Sequence, residues 1–289
     1  MTETLKTWMP LIAVALFALL FAAERLRPLR QTTRSARGRL VTNGVVVALA
    51  LGVGAVTVAP TTMALLAWTR SAELGLLHVL ALPAPLSVAA GILLLDLSFY
   101  WWHRLNHVWP LLWRFHNVHH IDPDLDSTTA FRFHPGEIAY SAAFRAAQIA
   151  LIGPNVSTLI LYEALFLSAT LFHHSNIRLP LGLERMLNRV LVTPRMHGVH
   201  HSTIRDETNA NYSVVFRWWD QLHGTLRLNV PQDDIRVGVA AYDQRDDNAP
   251  LSALTLPFKQ QRDYWRTTHG TDSRVRTGWH PDACARMAG

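Results

Sequence analysis

Residues 86–120, LSVAAGILLLDLSFYWWHRLNHVWPLLWRFHNVHH, begin as an apolar run and end as a cluster of histidines. Only Asp96 interrupts Leu86–Trp102, and five histidines then fall within eighteen residues: His103, His107, His116, His119 and His120. The spacings are i, i+4 and i, i+3, i+4. On a helix they set side chains on one face, with Cβ atoms roughly 5–6 Å apart, close enough for several imidazoles to share one or two metal ions. The same HxxHH pattern returns at His197, His200 and His201.

Hydrophobic residues make up 49% of the 289-residue chain and charged residues 17%, against roughly 25% charged in soluble domains. The apolar residues come in blocks, at about 8–23, 40–59, 86–102, 138–153 and 156–172. The expected fold is an all-α integral membrane protein, with about four to five transmembrane helices and a cytosolic histidine-rich helical cap. The block 40–59 has no charge and covers about 30 Å as a helix, one hydrocarbon thickness. Pro60 is expected to end it, leaving 61–84 as an amphipathic or re-entrant segment. Gly153-Pro154-Asn155 splits the last two blocks into a helical hairpin, with Glu163 as its lone acid.

Block 8–23 meets Glu24 and then Arg25, Arg27, Arg30, Arg34, Arg37 and Arg39, the pattern of a cytoplasm-facing anchor end rather than a cleaved leader. Threading the blocks from there puts every histidine cluster on the arginine-rich side, with Arg104, Arg114, Arg132, Arg178, Arg185, Arg189, Arg195 and Arg205. The net charge of +6 is therefore read as setting topology, with no nucleic-acid partner. A single cysteine, Cys284, excludes an intrachain disulfide and a multi-cysteine zinc site. The expected organisation is an N-terminal anchor region (1–85), a catalytic domain (86–222) and a cytosolic C-terminal tail (223–289) ordered to about Lys259.

One HxxxH pair means little, but these clusters drawn together would repel if protonated and leave unpaired nitrogens if dry. Metal coordination resolves both, since neutral imidazole is a ligand for first-row metals. His134, in RFHPGE, and His174, in HHSN, sit at the two ends of the hairpin and join the candidate ligands. His173 faces about 100° away from His174 on a helix and is set aside. His78, His223, His269 and His280 are read as ordinary polar residues. Asp96 lies two turns before His103 and is a candidate second partner for a ligand imidazole; the alternative is a local bond to Tyr100.

With HRLNH, HNVHH and HGVHH in order, and RFHPGE and HHSN between them, the chain resembles the fatty acid hydroxylase/sterol desaturase superfamily over roughly residues 90–222. That resemblance implies a membrane-bound, O2-dependent mono-oxygenase with two iron ions; the geometry of the histidine set does not exclude zinc, so a recombinant preparation can carry it instead. The implied ligands are His103, His107, His116, His119, His120, His197, His200 and His201, joined by His134 and His174. The implied reaction is hydroxylation of a lipid drawn from the bilayer, with desaturation by the same centre as the alternative. Electrons are expected from a separate donor, ferredoxin or cytochrome b5-like. A zinc hydrolase is disfavoured, since there is no HExxH. A metal transporter is disfavoured because only Asp96 and Glu163 are expected to be ionisable within the spans.

Overall fold

The computed structural model describes residues 2–276; His280 and Cys284 lie outside the described residues. Among those residues the chain is helical with no β-strand, only isolated bridges. Helix α1 (Thr2–Leu26) leads through an arginine-rich loop to α2 (Ala36–Val56) and α3 (Val58–Ser71), and a short α4 (Leu76–Leu80) precedes α5 (Ala84–Val108). Then follow α6 (Pro110–His120), α7 (Pro135–Ile152) and α8 (Val156–His174). The short helices α9 (Leu181–Leu187), α10 (Pro194–His200), α11 (Arg205–Thr208), α12 (Trp218–Leu222) and α13 (Pro250–Thr255) complete the cap. Three helical stretches are long and apolar enough to cross a membrane, Ala36–Leu80, Ala84–Val108 and Val156–His174.

Pro60 does not end the second run. Thr57 N–H donates to Val53 O at 3.0 Å and Thr61 N–H to Thr57 O at 3.2 Å, so helical bonding carries across the α2–α3 junction. Pro60 is the third residue of α3, where its missing N–H removes nothing the helix uses. Residues 61–71 thus continue the helix, and α3 packs along α7. Gly75 meets Gly153 so closely that a Cβ on either would strike the other's backbone, and both have positive φ (105° and 66°). Glycine is required at both. The α3–α4 turn and the hairpin turn are thereby pressed together.

The hairpin helices hold a second ionisable residue that hydropathy alone passes over. Arg145 of α7 pairs with Glu163 of α8 at 2.6 Å, and its Nη1 also donates to Gln148. Gln148 in turn donates to Ser98 Oγ and Leu95 O of α5, tying the hairpin to the helix that starts the metal site.

The N-terminal region is bound into the cap. Arg39 of α2 donates to both carboxylate oxygens of Asp122 at 2.7 and 2.9 Å and to Asp126 at 2.8 Å, all buried. Burial alone pushes a carboxyl up, but Arg39 and Arg132 beside Asp122 hold it down at about 2. Glu24, at the end of α1, accepts from Ser127 N, Ser127 Oγ and Asn176 N.

The C-terminal stretch is no tail as far as it is described. Val239, Ala241, Tyr242, Ala253 and Leu256 are buried with Val46, Trp113 and Ile121. Apolar residues delivered by short helices and turns form a core there without a long apolar run, which is why falling hydropathy misleads. Further on, Arg276 makes a two-pronged pair with Glu207 at 2.7 and 2.8 Å.

Candidate metal centre

Helix α5 does not stop at Trp102 but runs to Val108, carrying His103 and His107 on consecutive turns. Trp109 caps it and Pro110 opens α6 at once. The chain therefore turns without a loop, and α6 sets His116, His119 and His120 beside the first pair. His174 ends α8, and α10 supplies His197 and His200, with His201 as its cap.

These side chains sort into two buried groups. His103, His107, His116, His120 and His200 form the first; His119, His174, His197 and His201 form the second. Within each, the ligand atoms all lie within 4.8 Å of one another. Each HxxHH box is divided between them. Its i, i+4 pair serves one group (116/120 the first, 197/201 the second), and the remaining histidine (119 or 200) serves the other. The division follows from helix geometry, because neighbouring residues such as His119 and His120 point about 100° apart.

Backbone carbonyls fix the tautomers. His103 Nδ1 lies 2.7 Å from Tyr212 O, His200 Nδ1 2.7 Å from Ala210 O, and His174 Nδ1 2.8 Å from Thr170 O. A carbonyl only accepts, so each Nδ1 carries the proton and each Nε2 presents a bare lone pair. Yet His103 Nε2 and His200 Nε2 are 3.1 Å apart. Two lone pairs at that distance repel unless a cation lies between them. Nitrogens bound to one ion at roughly 2.1 Å are about 2.9–3.4 Å apart in octahedral to tetrahedral arrangements, the spacing seen. The second group repeats it: 3.1 Å for His119–His174, 3.0 Å for His174–His197 and 3.1 Å for His197–His201, all between Nε2 atoms. In the first group, Nε2 of His107, His116 and His120 has no hydrogen-bond partner. The residues present thus fit two metal ions.

Burial and neighbouring imidazoles push His119, His120, His197 and His201 well below the ordinary histidine range, and burial brings His200 to about 3. They are neutral at physiological pH, the form that binds metal.

His134 is not brought to either group. Its Nδ1 accepts from Gly136 N at 2.9 Å and its Nε2 lies 3.0 Å from Leu254 O. It caps α7, satisfying an N–H that has no partner within the helix, so both ring nitrogens are committed. Among the described residues no hydrogen bond joins Asp96 to an imidazole or to Tyr100. Its Oδ2 accepts from Phe216 N at 3.1 Å and Trp219 Nε1 at 2.7 Å, pinning the loop that carries Tyr212. His173, set aside on helical phase, is buried with its ring 4.1 Å from that of His197 and 4.6 Å from that of His174. Helix α10 packs against α8 and brings His197 to both rings, at 4.1 Å from His173 and 4.2 Å from His174.

Two supporting residues were missed. Glu137, three residues after His134, accepts from His116 Nδ1 at 2.9 Å, as a carboxylate often does for a metal-binding histidine. The acid of RFHPGE was its only signal. Asp220 accepts from Tyr212 N at 2.8 Å, Ser213 N at 2.9 Å and Thr225 Oγ1 at 2.6 Å, holding the segment whose carbonyls orient His103 and His200. Contacts made by backbone carbonyls leave no mark in a sequence.

A small cavity lies against both groups. His103, His116 and His119 face it from the metal side, and Phe99, Trp102 and Phe166 from the apolar helices. Phe133 lines it too, stacked on His119 at 4.6 Å.

The fold and paired histidine groups define a membrane-associated metalloprotein of all-histidine type. Residues 88–225, which hold every histidine of the two groups, match the fatty acid hydroxylase family. An ornithine lipid hydroxylase of Rhizobium tropici is 28% identical over 263 residues, covering 88% of this chain and 76% of that protein. Human alkylglycerol monooxygenase is 32% identical over 144 residues, covering 50% of this chain and 31% of that enzyme. Human cholesterol 25-hydroxylase is 29% identical over 139 residues, covering 47% and 49%. The chain thus spans a third to a half of the two human relatives. No solved structure matches it.

Proposed function

We propose that this protein is a multi-pass membrane mono-oxygenase that hydroxylates the hydrocarbon chain of a membrane lipid, using two iron ions and O2. The observation that carries the reading is the pair of bare Nε2 lone pairs of His103 and His200, 3.1 Å apart. Nine histidines would hold the ions, the first group one and the second the other, without His134. Iron bound there supplies the redox power to attack an unactivated C–H bond, which no acid–base side chain possesses. The chain's own residues do the rest. Tyr212 O, Ala210 O, Thr170 O and Glu137 hold the protons on Nδ1 and aim the Nε2 atoms. Phe99, Trp102, Phe133 and Phe166 bind the substrate chain and exclude water.

The match to the ornithine lipid hydroxylase covers 88% of this chain, against 50% and 47% for the two human relatives, which favours a polar-headed acyl lipid over a sterol. The two electrons are proposed to come from a separate carrier protein, and the cap is proposed to face the cytoplasm, as the arginine distribution supports.

The test is lipid profiling of cells expressing wild type or the His200→Ala variant under 18O2. Wild type is expected to give an acyl lipid carrying one 18O, absent from the variant and abolished by an iron chelator. A lipid with a new double bond and no 18O would move the reading to desaturation; no oxygen-dependent change would sink it. Orientation is read separately, with Cys284 replaced by Ser and a thiol placed at exposed Ser35. Labelling by an impermeant reagent should require permeabilised cells; labelling of sealed cells reverses the topology.

A further inference from the structure

Hydroxylation consumes electrons from outside the centre: RH + O2 + 2 e⁻ + 2 H⁺ gives ROH + H2O. One oxygen atom enters the product and the other is reduced to water, so a carrier has to reach the histidines by a route the lipid does not fill. Apart from the aromatic cavity, a cleft of about 340 Å3 opens among the polar loops of the cap. Its wall is built from the segments that follow the metal-site residues. Ile121 comes directly after His120, Asn176 two residues after His174, and Thr203 two after His201. Gly238, also in the wall, donates its N–H to His201 O at 3.0 Å. Its floor is therefore one or two residues from both histidine groups.

The cleft is basic where it faces outward. Arg34 and Arg236 are exposed on its walls, and neither forms a salt bridge among the described residues; Arg34 Nη2 donates to the uncharged backbone carbonyl of Asp243 at 2.6 Å, which leaves its charge uncompensated. Arg30 is buried behind them against Gly198, in the middle of the third box, where a Cβ would collide with its guanidinium. The two acids in the wall are engaged internally. Asp124 accepts from Thr33 N at 2.6 Å and Arg34 N at 2.9 Å, and Asp243 from the side chains of Thr268 and Gln244. Arg34 belongs to the loop read as topology-setting charge, and the cleft gives it a second use beside Arg236.

We propose that this cleft is the docking surface of a small acidic electron-carrier protein, which delivers electrons through the wall to the histidines. The proposal rests on the oxygenase reading. Opposite charges across such a surface steer encounter and raise the association rate at low salt.

The test uses the full-length, iron-loaded, oxidised protein in zwitterionic nanodiscs, with the rate of reduction of the ferric centre followed by stopped-flow absorbance. Two reductants are compared: an excess of reduced plant-type [2Fe–2S] ferredoxin, and photoreduced 5-deazariboflavin, a small neutral molecule. The variants are Arg34→Glu/Arg236→Glu and, as a charge change outside the cleft, Arg185→Glu. The double variant is expected to lose about tenfold or more of the ferredoxin rate constant at low salt, with rising salt bringing wild type down toward it. Arg185→Glu should stay within roughly twofold of wild type, and deazariboflavin should reduce all three proteins equally. Ferredoxin rates unchanged in the double variant overturn the proposal. So does an equal loss in Arg185→Glu, or slowed reduction by deazariboflavin in the double variant. The same measurements are repeated in anionic nanodiscs: a difference that appears only there assigns the cleft to lipid headgroups and overturns the proposal as well. A centre that neither donor reduces overturns the oxygenase reading itself.

Discussion

His134 and His174 look alike in the sequence, each at one end of the hairpin, and the structure separates them by what their Nε2 atoms meet. His174 Nε2 faces His119 and His197 at 3.1 and 3.0 Å; His134 Nε2 faces a carbonyl. Reconstituted His134→Ala is therefore expected to keep two metal ions per chain and lose about 1 kcal/mol of stability as a helix cap. His197→Ala should fall to one ion, since it strips the second group of a member with two short Nε2 contacts. Elemental analysis of both, against protein concentration, decides; a one-ion His134→Ala protein would return that residue to the ligand set. Glu137→Gln keeps the shape of the side chain but removes the charge that supports His116. Metal affinity should drop on the order of 10–100-fold, measured by competition with a chelator. An unchanged affinity would mean that His116 needs no carboxylate.

At the scale of elements, the helices and box histidines were legible because both depend on period. Apolar blocks announce long helices, and i, i+3, i+4 spacings announce a shared face. What stayed hidden depends on contact between distant segments. The 210–220 loop reads as ordinary polar sequence, yet Asp96 holds it at Phe216 and Trp219 while Asp220 holds it at Tyr212 and Ser213. Pro60 misled for a related reason: proline breaks a helix interior but is harmless in a first turn, and sequence alone did not place the junction at Thr57. Asp220→Ala tests the loop. It leaves the Tyr212 and Ser213 N–H groups buried without their acceptor, at roughly 1–3 kcal/mol each. The expected result is a lower melting temperature together with weaker metal binding, because the same strand of backbone orients His103 and His200. Lower stability with metal binding intact would show that Tyr212 O and Ala210 O hold their places without it.

Across the whole molecule, hydropathy separated anchor, domain and tail, whereas the structure joins them at charged residues. Arg39, from the arginine-rich loop side of α2, is buried against Asp122 and Asp126, just beyond the second box. Its replacement by Met removes the cation and leaves Asp122 in the interior with Arg132 3.8 Å away. Breaking one side of a buried pair destabilises by about 3–5 kcal/mol. Thermal unfolding of Arg39→Met in detergent should show a loss of that order; a melting point equal to wild type would mean that the N-terminal helices are only tethered to the cap.

The division of each HxxHH box between two groups also has a consequence in time. A growing chain that has emerged through Ser175 carries four of the five members of the first group and two of the four of the second. His197, His200 and His201 complete both at once, more than twenty residues later. Neither half can be finished before the other. Assembly of the centre is therefore a late event of synthesis, after the helical hairpin has been made, and a chain truncated before residue 197 lacks one member of the first group and two of the second.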